Sequence, residues 1–162
     1  MYFYKQSEDF IGPKKTFYSY PMQSFIDNNG VIAFHTDYPV SPAMDAPKSI
    51  YMACMRNDPE REDFYQWNAN ECISRIDALR GLTTGPAYEV MEEDHIGQLS
   101  IGYVPNFTIY DTDFLHADLK EVAEAKLVAT IIDGEVAYVP ADTSDTGMDF
   151  VVKMQKNAYI NL

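Results

Sequence analysis

Basic residues are scarce in this chain. Its 162 residues include 12 Lys and Arg against 25 Asp and Glu, which gives a formal net charge of −13. Nucleic acids and anionic membranes bind proteins through clustered Lys and Arg. The imbalance therefore excludes both as expected partners, and its simplest consequence is solubility.

Cysteine is also rare, and long hydrophobic runs are missing. Cys54 and Cys72 are the two cysteines, and no Cys-x-x-Cys spacing joins them. Both fall in predicted helices, so we expect buried free thiols rather than a disulfide, as in the reducing cytosol. No stretch approaches the roughly 20 apolar residues of a membrane span, and the first residues lack the pattern of a signal peptide. These absences predict a cytoplasmic protein.

The length sets a limit on the fold. A complete (β/α)8 barrel needs roughly 250 residues, so 162 residues cannot hold one. The composition, 46% hydrophobic and 23% charged, is that of a globular domain with a real core. We expect one domain, or one domain with an appendage.

The first part of the chain is predicted to be mostly helical with one strand. Residues 1–18 look irregular, and a short helix is expected to start at Tyr20-Pro21. Residues 31–34 are apolar throughout, which is typical of a strand buried on both faces. Asp45 and Ser74 are expected to cap two further helices, with a polar surface loop at 57–70 between them and a break at Gly85-Pro86.

The character of the sequence changes after about residue 93. Strands are predicted at 99–101, 107–110, 127–132 and 135–139, and one more is possible at 150–154. Asp133-Gly134 lies between two of them and is a strong signal for a two-residue hairpin. The whole pattern predicts an α+β protein in which an antiparallel module follows the helices.

Asp37 is the best candidate for a functional residue. It stands directly after the predicted strand at 31–34, where the carboxyl ends of barrel strands carry catalytic side chains. A buried carboxylate there needs a cation, a metal or several hydrogen-bond donors. The alternative is a turn-forming aspartate that bonds to the backbone after Thr36.

His35 precedes Asp37 by two residues, so both side chains could point to one ligand. Two ligands do not make a zinc site, which needs at least three from the protein. A hydrogen-bonded histidine near a strand end is the alternative. His95 and His116 lie in polar surroundings and are interpreted as surface residues. The charged run at 58–63 is interpreted as a solvated loop, and Trp67 as a packing residue.

An ordered series of motifs resembles the C-terminal part of the amidohydrolase superfamily, in particular the amidohydrolase 3 family. The series covers roughly residues 18–140, and no single motif in it is specific. Its members are Tyr20-Pro21 with the helix after it, residues 30–40, the helix ending at Arg56, residues 74–83, residues 97–102 with 107–111, and the closing hairpin 128–138.

The resemblance implies a fold and a domain arrangement. Residues 1–95 would be the last strand and helices of a TIM-barrel hydrolase. Residues 96–140 would form a small antiparallel, β-sandwich-like module, and 141–162 a tail. A TIM barrel with its upstream strands missing would leave an unpaired edge, so the expected partners are further copies of the chain or the missing upstream barrel segment.

The resemblance also implies a chemistry. Family members hydrolyse amide-type C–N bonds with one or two divalent metals, zinc above all, and the aspartate after the last strand binds the metal or moves the proton of its water. Asp37 matches that aspartate. The sequence departs from the family because it has no His-x-His, because His35-Thr36 stands where Gly-Ser is usual, and because Asn106 replaces an Asp.

Two interpretations follow from these observations. In the first, the chain is a segment of a metal-dependent amidohydrolase and is inactive alone because the upstream metal ligands are absent. Asp37 is then its catalytic and metal-binding residue, with His35 as a weaker candidate ligand. In the second, the chain is a non-catalytic interaction or oligomerisation module derived from an amidohydrolase.

Overall fold

The computed structural model of the protein describes residues 4–40, 43, 45–60 and 66–141. Short helices dominate the first two thirds of this part of the chain, and a small sheet the last third. The elements in chain order are α1 (Tyr4–Ile11), α2 (Pro13–Phe17), α3 (Met22–Asp27), α4 (Ala46–Met55), a 3-10 helix (Ala69–Glu71), α5 (Arg75–Arg80), α6 (Thr84–Glu89), β1 (Phe107–Tyr110), α7 (Leu119–Ala123), β2 (Leu127–Ile132) and β3 (Glu135–Tyr138).

The N-terminal segment is helical, so the prediction of an irregular stretch over residues 1–18 is wrong for its described part. Gly12 has φ 80° and separates α1 from α2. Pro13 then opens α2, where its missing N–H would have no helical partner anyway. The same two residues that suggested a loop are therefore the boundary between two helices.

The two predicted helix caps are confirmed. The Asp45 carboxylate accepts a hydrogen bond from the Lys48 amide at the start of α4. The Ser74 hydroxyl accepts one from the Asp77 amide at the start of α5. Each side chain satisfies an amide that the first helical turn leaves without a backbone partner.

The helical core is built around α4. Ile50 and Ala53 of α4 pack with Ile73, Ala78 and Val122, all of them buried. Val122 lies on α7, a helix that the sequence analysis missed, and Asp118 caps it by accepting a hydrogen bond from the Lys120 amide. Because α7 lies between β1 and β2 in the chain, it ties the sheet region to the helical core.

The sheet has the predicted antiparallel arrangement, with strand order β1-β2-β3. Phe107 pairs with Ile131, and Ile131 pairs with Val136 on its other side. Ala129 and Ile131 form the buried centre of this small core. In the described residues the module is one three-stranded sheet, so the second layer of a β-sandwich is not seen there.

The predicted hairpin at Asp133-Gly134 is confirmed. Asp133 has φ 52° and Gly134 has φ 79°, the positive pair that a type I′ turn requires. The Asn106 side-chain oxygen accepts a hydrogen bond from the Asp133 amide at 2.8 Å. Asn106, which departs from the family pattern, therefore supports the turn.

Three further predictions are wrong in detail. Residues 99–101 form no strand, since the first two are irregular and a turn begins at Ile101, which is fully exposed. Gly85 and Pro86 lie in the first turn of α6 instead of ending a helix. The segment 57–70 is not a simple surface loop, because Trp67 and Asn68 are buried and a 3-10 helix starts at Ala69. The possible strand at 150–154 lies outside the described residues.

Residues 31–34 have no regular secondary structure and belong to no strand of the described sheet, so the strand predicted there is not formed in the described chain. The predicted burial on both faces is also wrong, since Val31 is 55% exposed. Phe34 packs against the helical core, so this segment is covered on one side only. Among the described helices none is both long and apolar enough to cross a lipid bilayer.

Candidate active site

His35 and Asp37 lie next to each other directly after residues 31–34. The His35 Nδ1 atom lies 2.9 Å from the Asp37 Oδ1 atom, and both side chains are about two thirds exposed. The two residues are two positions apart, and their side chains approach each other where the backbone turns at Asp37. The pair therefore places a histidine ring next to a carboxylate that solvent can reach.

The backbone turns sharply at Asp37. Its φ is 51°, a left-handed conformation that aspartate adopts more readily than most residues. The Asp37 carbonyl accepts a hydrogen bond from the Val40 amide at 2.8 Å, which closes the turn over residues 37–40. Asp37 thus forms a turn through its backbone carbonyl, whereas its exposed side chain contacts His35.

Two glycines leave room for residues 32–34 to pack closely against the helices. A Cβ atom on Gly85 would lie only 1.9 Å from the Ile32 carbonyl oxygen. A Cβ on Gly81 would lie about 3.1 Å from the Phe34 ring, and the Phe34 amide donates to the Gly81 carbonyl at 2.8 Å. The position of the segment, and hence of His35 and Asp37 at its end, depends on this close approach.

The described residues do not form a metal centre by themselves. Within them, no group of three or more His, Cys, Asp or Glu side chains is placed to hold a metal ion. His35 and Asp37 supply two donors, fewer than the three that zinc takes from a protein. His116 is engaged elsewhere, with its Nδ1 atom 2.8 Å from the Asp113 Oδ2 atom on the surface.

Arg56 is the most deeply buried charged residue of the described chain, and the sequence analysis marked it only as a helix end. Its guanidinium donates to the carbonyls of Trp67, Tyr20 and Ser19 and lies 4.0 Å from the centre of the Trp67 ring. The Trp67 indole donates in turn to the Phe17 carbonyl. This cluster fixes the chain between α2 and α3 against the end of α4.

Glu71 is a second buried charge that the sequence analysis missed. Its carboxylate accepts hydrogen bonds from the Ser24 amide at 2.9 Å and from the Ser24 hydroxyl. Burial raises the pKa of Glu71, but the hydrogen bonds from Ser24 and Gln23 and the charge of Arg56 outweigh burial and lower that pKa. Glu71 therefore caps α3 from a distant part of the chain, a role that no local pattern reveals.

The two cysteines are free thiols, as predicted. Burial raises the pKa of Cys54 to about 11, and burial also raises the pKa of Cys72. A thiol with a raised pKa carries little thiolate near neutrality and is a poor nucleophile. Neither cysteine is therefore a candidate for covalent catalysis.

A surface cleft of about 670 Å³ lies between α4 and α7. Asp45, Lys48, Glu60 and Lys120 contribute charges of both signs to its wall, and Lys48 forms ion pairs with Asp45 and Glu60. Glu60 belongs to the charged run at 58–63, of which residues 61–63 lie outside the described part. The mutual pairing of these charges favours a solvated surface over a catalytic pocket.

Comparison with known proteins supplies the context of this site. A profile of the Amidohydrolase family matches residues 3–138. Protein LONG AFTER FAR-RED 3 of Arabidopsis thaliana is 32% identical over 120 residues, which is 74% of this chain and 20% of that protein. The protein named Putative amidohydrolase YtcJ, of Bacillus subtilis strain 168, is 23% identical over 130 residues, or 80% of this chain and 24% of that protein.

Comparison of the fold with solved structures agrees with the sequence comparison. The crystal structure of an amidohydrolase from Thermotoga maritima MSB8 superposes with a TM-score of 0.54 at 18% identity, covering 74% of this chain and 26% of that one. The chain thus spans about a fifth to a quarter of the length of these relatives. Since the family profile covers most of the sequence, the chain belongs to the Amidohydrolase family.

Proposed function

We propose that this chain is a segment of a metal-dependent hydrolase that acts on amide-type C–N bonds, and that Asp37 is its catalytic residue. The observation that carries the proposal is the exposed Asp37 carboxylate beside His35, in a chain of the Amidohydrolase family. Catalytic side chains of barrel enzymes lie at the carboxyl ends of strands. In our proposal Asp37 holds such a position, because residues 31–34 before it resemble the last barrel strand of the family.

Asp37 is suited to accept a proton. A carboxylate that is about two thirds exposed can reach a water molecule or a substrate directly. The His35 ring lies against one carboxylate oxygen and leaves the other free to act as a general base. His35 is accordingly a positioning residue for Asp37 in this proposal.

The proposed enzyme contains more polypeptide than these 162 residues. His35 and Asp37 do not fit a zinc ion on their own, so further ligands would have to come from another part of the enzyme or from a partner chain. A divalent metal, zinc in our proposal, would activate water in the complete enzyme. The isolated chain is then inactive, and its cytoplasmic location remains a prediction.

A non-catalytic role has one observation in its favour. Residues 31–36 belong to no strand of the described sheet, and an unpaired backbone edge can pair with another strand. An interaction or oligomerisation module would use this edge and would have no need for the Asp37 carboxylate. The two functions therefore differ in what happens when Asp37 alone is changed.

A chimera separates these functions. Residues 3–138 replace the matching stretch of the Bacillus protein, and the product is assayed for bound metal by mass spectrometry and for hydrolysis of a panel of N-acyl p-nitroanilides. We expect hydrolysis that falls by about 100-fold or more in Asp37→Asn, the usual scale for losing a general base. Asp94→Asn, an exposed aspartate outside the site, is the control and should keep full activity.

Two results would contradict the proposed function. One is a folded chimera that hydrolyses no member of the panel although the parent Bacillus protein does. The other is an Asp37→Asn chimera as active as the Asp94→Asn control, which would remove Asp37 from the chemistry.

A further inference from the structure

The two cysteines lie close together where the end of α4 meets the chain after the 3-10 helix. The Ile73 amide donates a hydrogen bond to the Ala53 carbonyl at 3.2 Å, and Cys72 and Cys54 are the chain neighbours of these two residues. Standard peptide dimensions then place the Cα atoms of Cys54 and Cys72 within about 7 Å of each other. A disulfide needs a Cα separation of about 4.4–6.8 Å, so the backbone brings the pair within reach of one.

The Cys72 sulfur lies near the same end of α4. The Gln66 side-chain nitrogen donates to the Met55 carbonyl at 3.0 Å and to the Cys72 Sγ atom at 3.6 Å. Both thiols are partly exposed, so a small oxidant can reach them. Burial raises the pKa of Cys54, and the charge of an ionised Cys72 raises that pKa further. The two sulfur atoms are therefore close enough to interact.

We propose that Cys54 and Cys72 are a redox-sensitive pair that forms a reversible disulfide within one chain when glutathione disulfide is abundant. Disulfides that form in reducing compartments are usually transient and redox-sensing. The bond would join the last turn of α4 to the residue that follows the 3-10 helix. The proposal does not depend on the proposed function, since neither cysteine belongs to the candidate active site.

The reaction consists of two successive thiol–disulfide exchanges. The charge of Arg56 and the hydrogen bond from Gln66 oppose the effect of burial on the pKa of Cys72, which favours Cys72 as the first thiolate. The Cys72 thiolate breaks the sulfur–sulfur bond of glutathione disulfide and releases one glutathione. The Cys54 thiolate then attacks the Cys72 sulfur, forms the protein disulfide and releases the second glutathione. The two thiols lose two electrons and two protons, and glutathione disulfide gains both.

The raised pKa values of the two thiols determine how this pair responds. Thiolate is scarce near neutrality, so the exchange is slow and the thiols stay reduced unless the oxidant persists. Once formed, the disulfide closes a short loop and restricts the unfolded chain. The oxidised protein should therefore melt at least about 4 °C above the reduced protein, and excess reduced glutathione should reverse this difference.

Equilibration with glutathione tests the pair directly. The protein is held in excess glutathione disulfide at mildly alkaline pH, quenched with iodoacetamide and analysed by mass spectrometry of the intact chain and its peptides. We expect a monomer that takes up no iodoacetamide, retains no glutathione and yields a peptide joined through Cys54 and Cys72. Cys54→Ser should instead accumulate glutathione on Cys72. Cys72→Ser should acquire glutathione at least about threefold more slowly than Cys54→Ser, because the thiol that remains has the higher pKa.

Several results would overturn the proposal. Thiols that still react with iodoacetamide after equilibration would show that no disulfide forms, and glutathione retained on Cys72 of the original protein would show that Cys54 does not reach it. Cross-linked dimers on a non-reducing gel would assign the bond to two copies of the chain. A cross-linked monomer that melts below the reduced protein would show that the bond strains the fold. If either serine variant fails to fold, the joined peptide of the original protein still decides the question.

Discussion

Gly85 shows how one missing side chain positions the candidate site. The Ile32 carbonyl occupies the space that any Cβ at position 85 would need. Gly85 lies in the first turn of α6, and its lack of a side chain lets the segment that contains Ile32 pack directly against the helix. The residues at the end of that segment, His35 and Asp37, depend on this contact indirectly.

Gly85→Ala should therefore destabilise the protein. Alanine usually stabilises a helix relative to glycine, by about 1 kcal/mol, but here its Cβ would displace Ile32 and cost about 1–3 kcal/mol. Urea denaturation measures the free energy of unfolding, with Glu89→Ala on the exposed side of the same helix as the control. A Gly85→Ala protein more stable than the original would show that Ile32 does not lie against α6.

Glu71 links stability to pH. Its pKa is lowered in the folded protein, so its ionised form is stabilised by folding. That stabilisation is fully present above the ordinary carboxyl pKa of about 4.3 and is lost as the pH falls through the lowered value. Acid should therefore remove the contribution of this residue.

Glu71→Gln should lower the free energy of unfolding at pH 7 by about 1–2 kcal/mol, the scale of a helix cap with charge-assisted hydrogen bonds. The difference from the original protein should shrink as the pH drops below about 4. Urea titrations at several pH values measure this, with the exposed Glu89→Gln as reference. A difference that does not change with pH would rule out the ionised Glu71 as the cap.

At the scale of elements, the hairpin between β2 and β3 carries the smaller core. Its turn has two consecutive residues with positive φ, and it is anchored by Asn106 and by the Pro105 carbonyl, which accepts from the Gly134 amide at 3.2 Å. The turn fixes the register that pairs Ile131 with Val136. The register in turn decides which residues of the sheet are buried.

Gly134→Val should destabilise the protein by more than about 1 kcal/mol, because a β-branched residue resists positive φ. Gly134→Asn, which tolerates the left-handed conformation, should cost less. Thermal melts of the two variants side by side make the comparison. Equal melting temperatures for Gly134→Val and the original protein would count against the type I′ turn.

At the scale of the whole molecule, metal binding depends on how many ligands the chain supplies. His35 and Asp37 lie together, but the described residues bring no third donor to them. We expect the isolated chain to bind no catalytic metal tightly, because zinc needs three protein ligands. Dialysis against zinc followed by elemental analysis is the measurement.

One result of this zinc measurement would contradict the prediction. Near-stoichiometric zinc that survives dialysis, and that is lost in both His35→Ala and Asp37→Ala, would mean that the chain completes the site without a partner. His95→Ala, an exposed histidine outside the pair, is the matched control and should not alter the zinc content.

Local chemistry made several features predictable from the sequence. Asp45 and Ser74 cap helices through bonds that reach three residues ahead, and the Asp133-Gly134 turn joins adjacent strands. His35 and Asp37 are two positions apart in the chain, and their side chains lie in contact. In each case the interacting groups are neighbours in the chain, so the pattern itself contains the contact.

Only the tertiary structure reveals the contacts between residues that are far apart in the chain. Glu71 caps a helix 47 positions away in the chain. The Arg56 guanidinium donates to carbonyls that lie 11 to 37 positions away. The Ile32 carbonyl packs against Gly85. Residues 31–34 have the composition of a strand buried on both faces, yet burial needs neighbours that a local pattern does not specify. The sequence by itself determined the family, the caps, the hairpin and the His35–Asp37 pair. Tertiary packing alone decided which charges are buried and how far residues 31–34 are exposed, because both depend on which residues the folded chain packs against them.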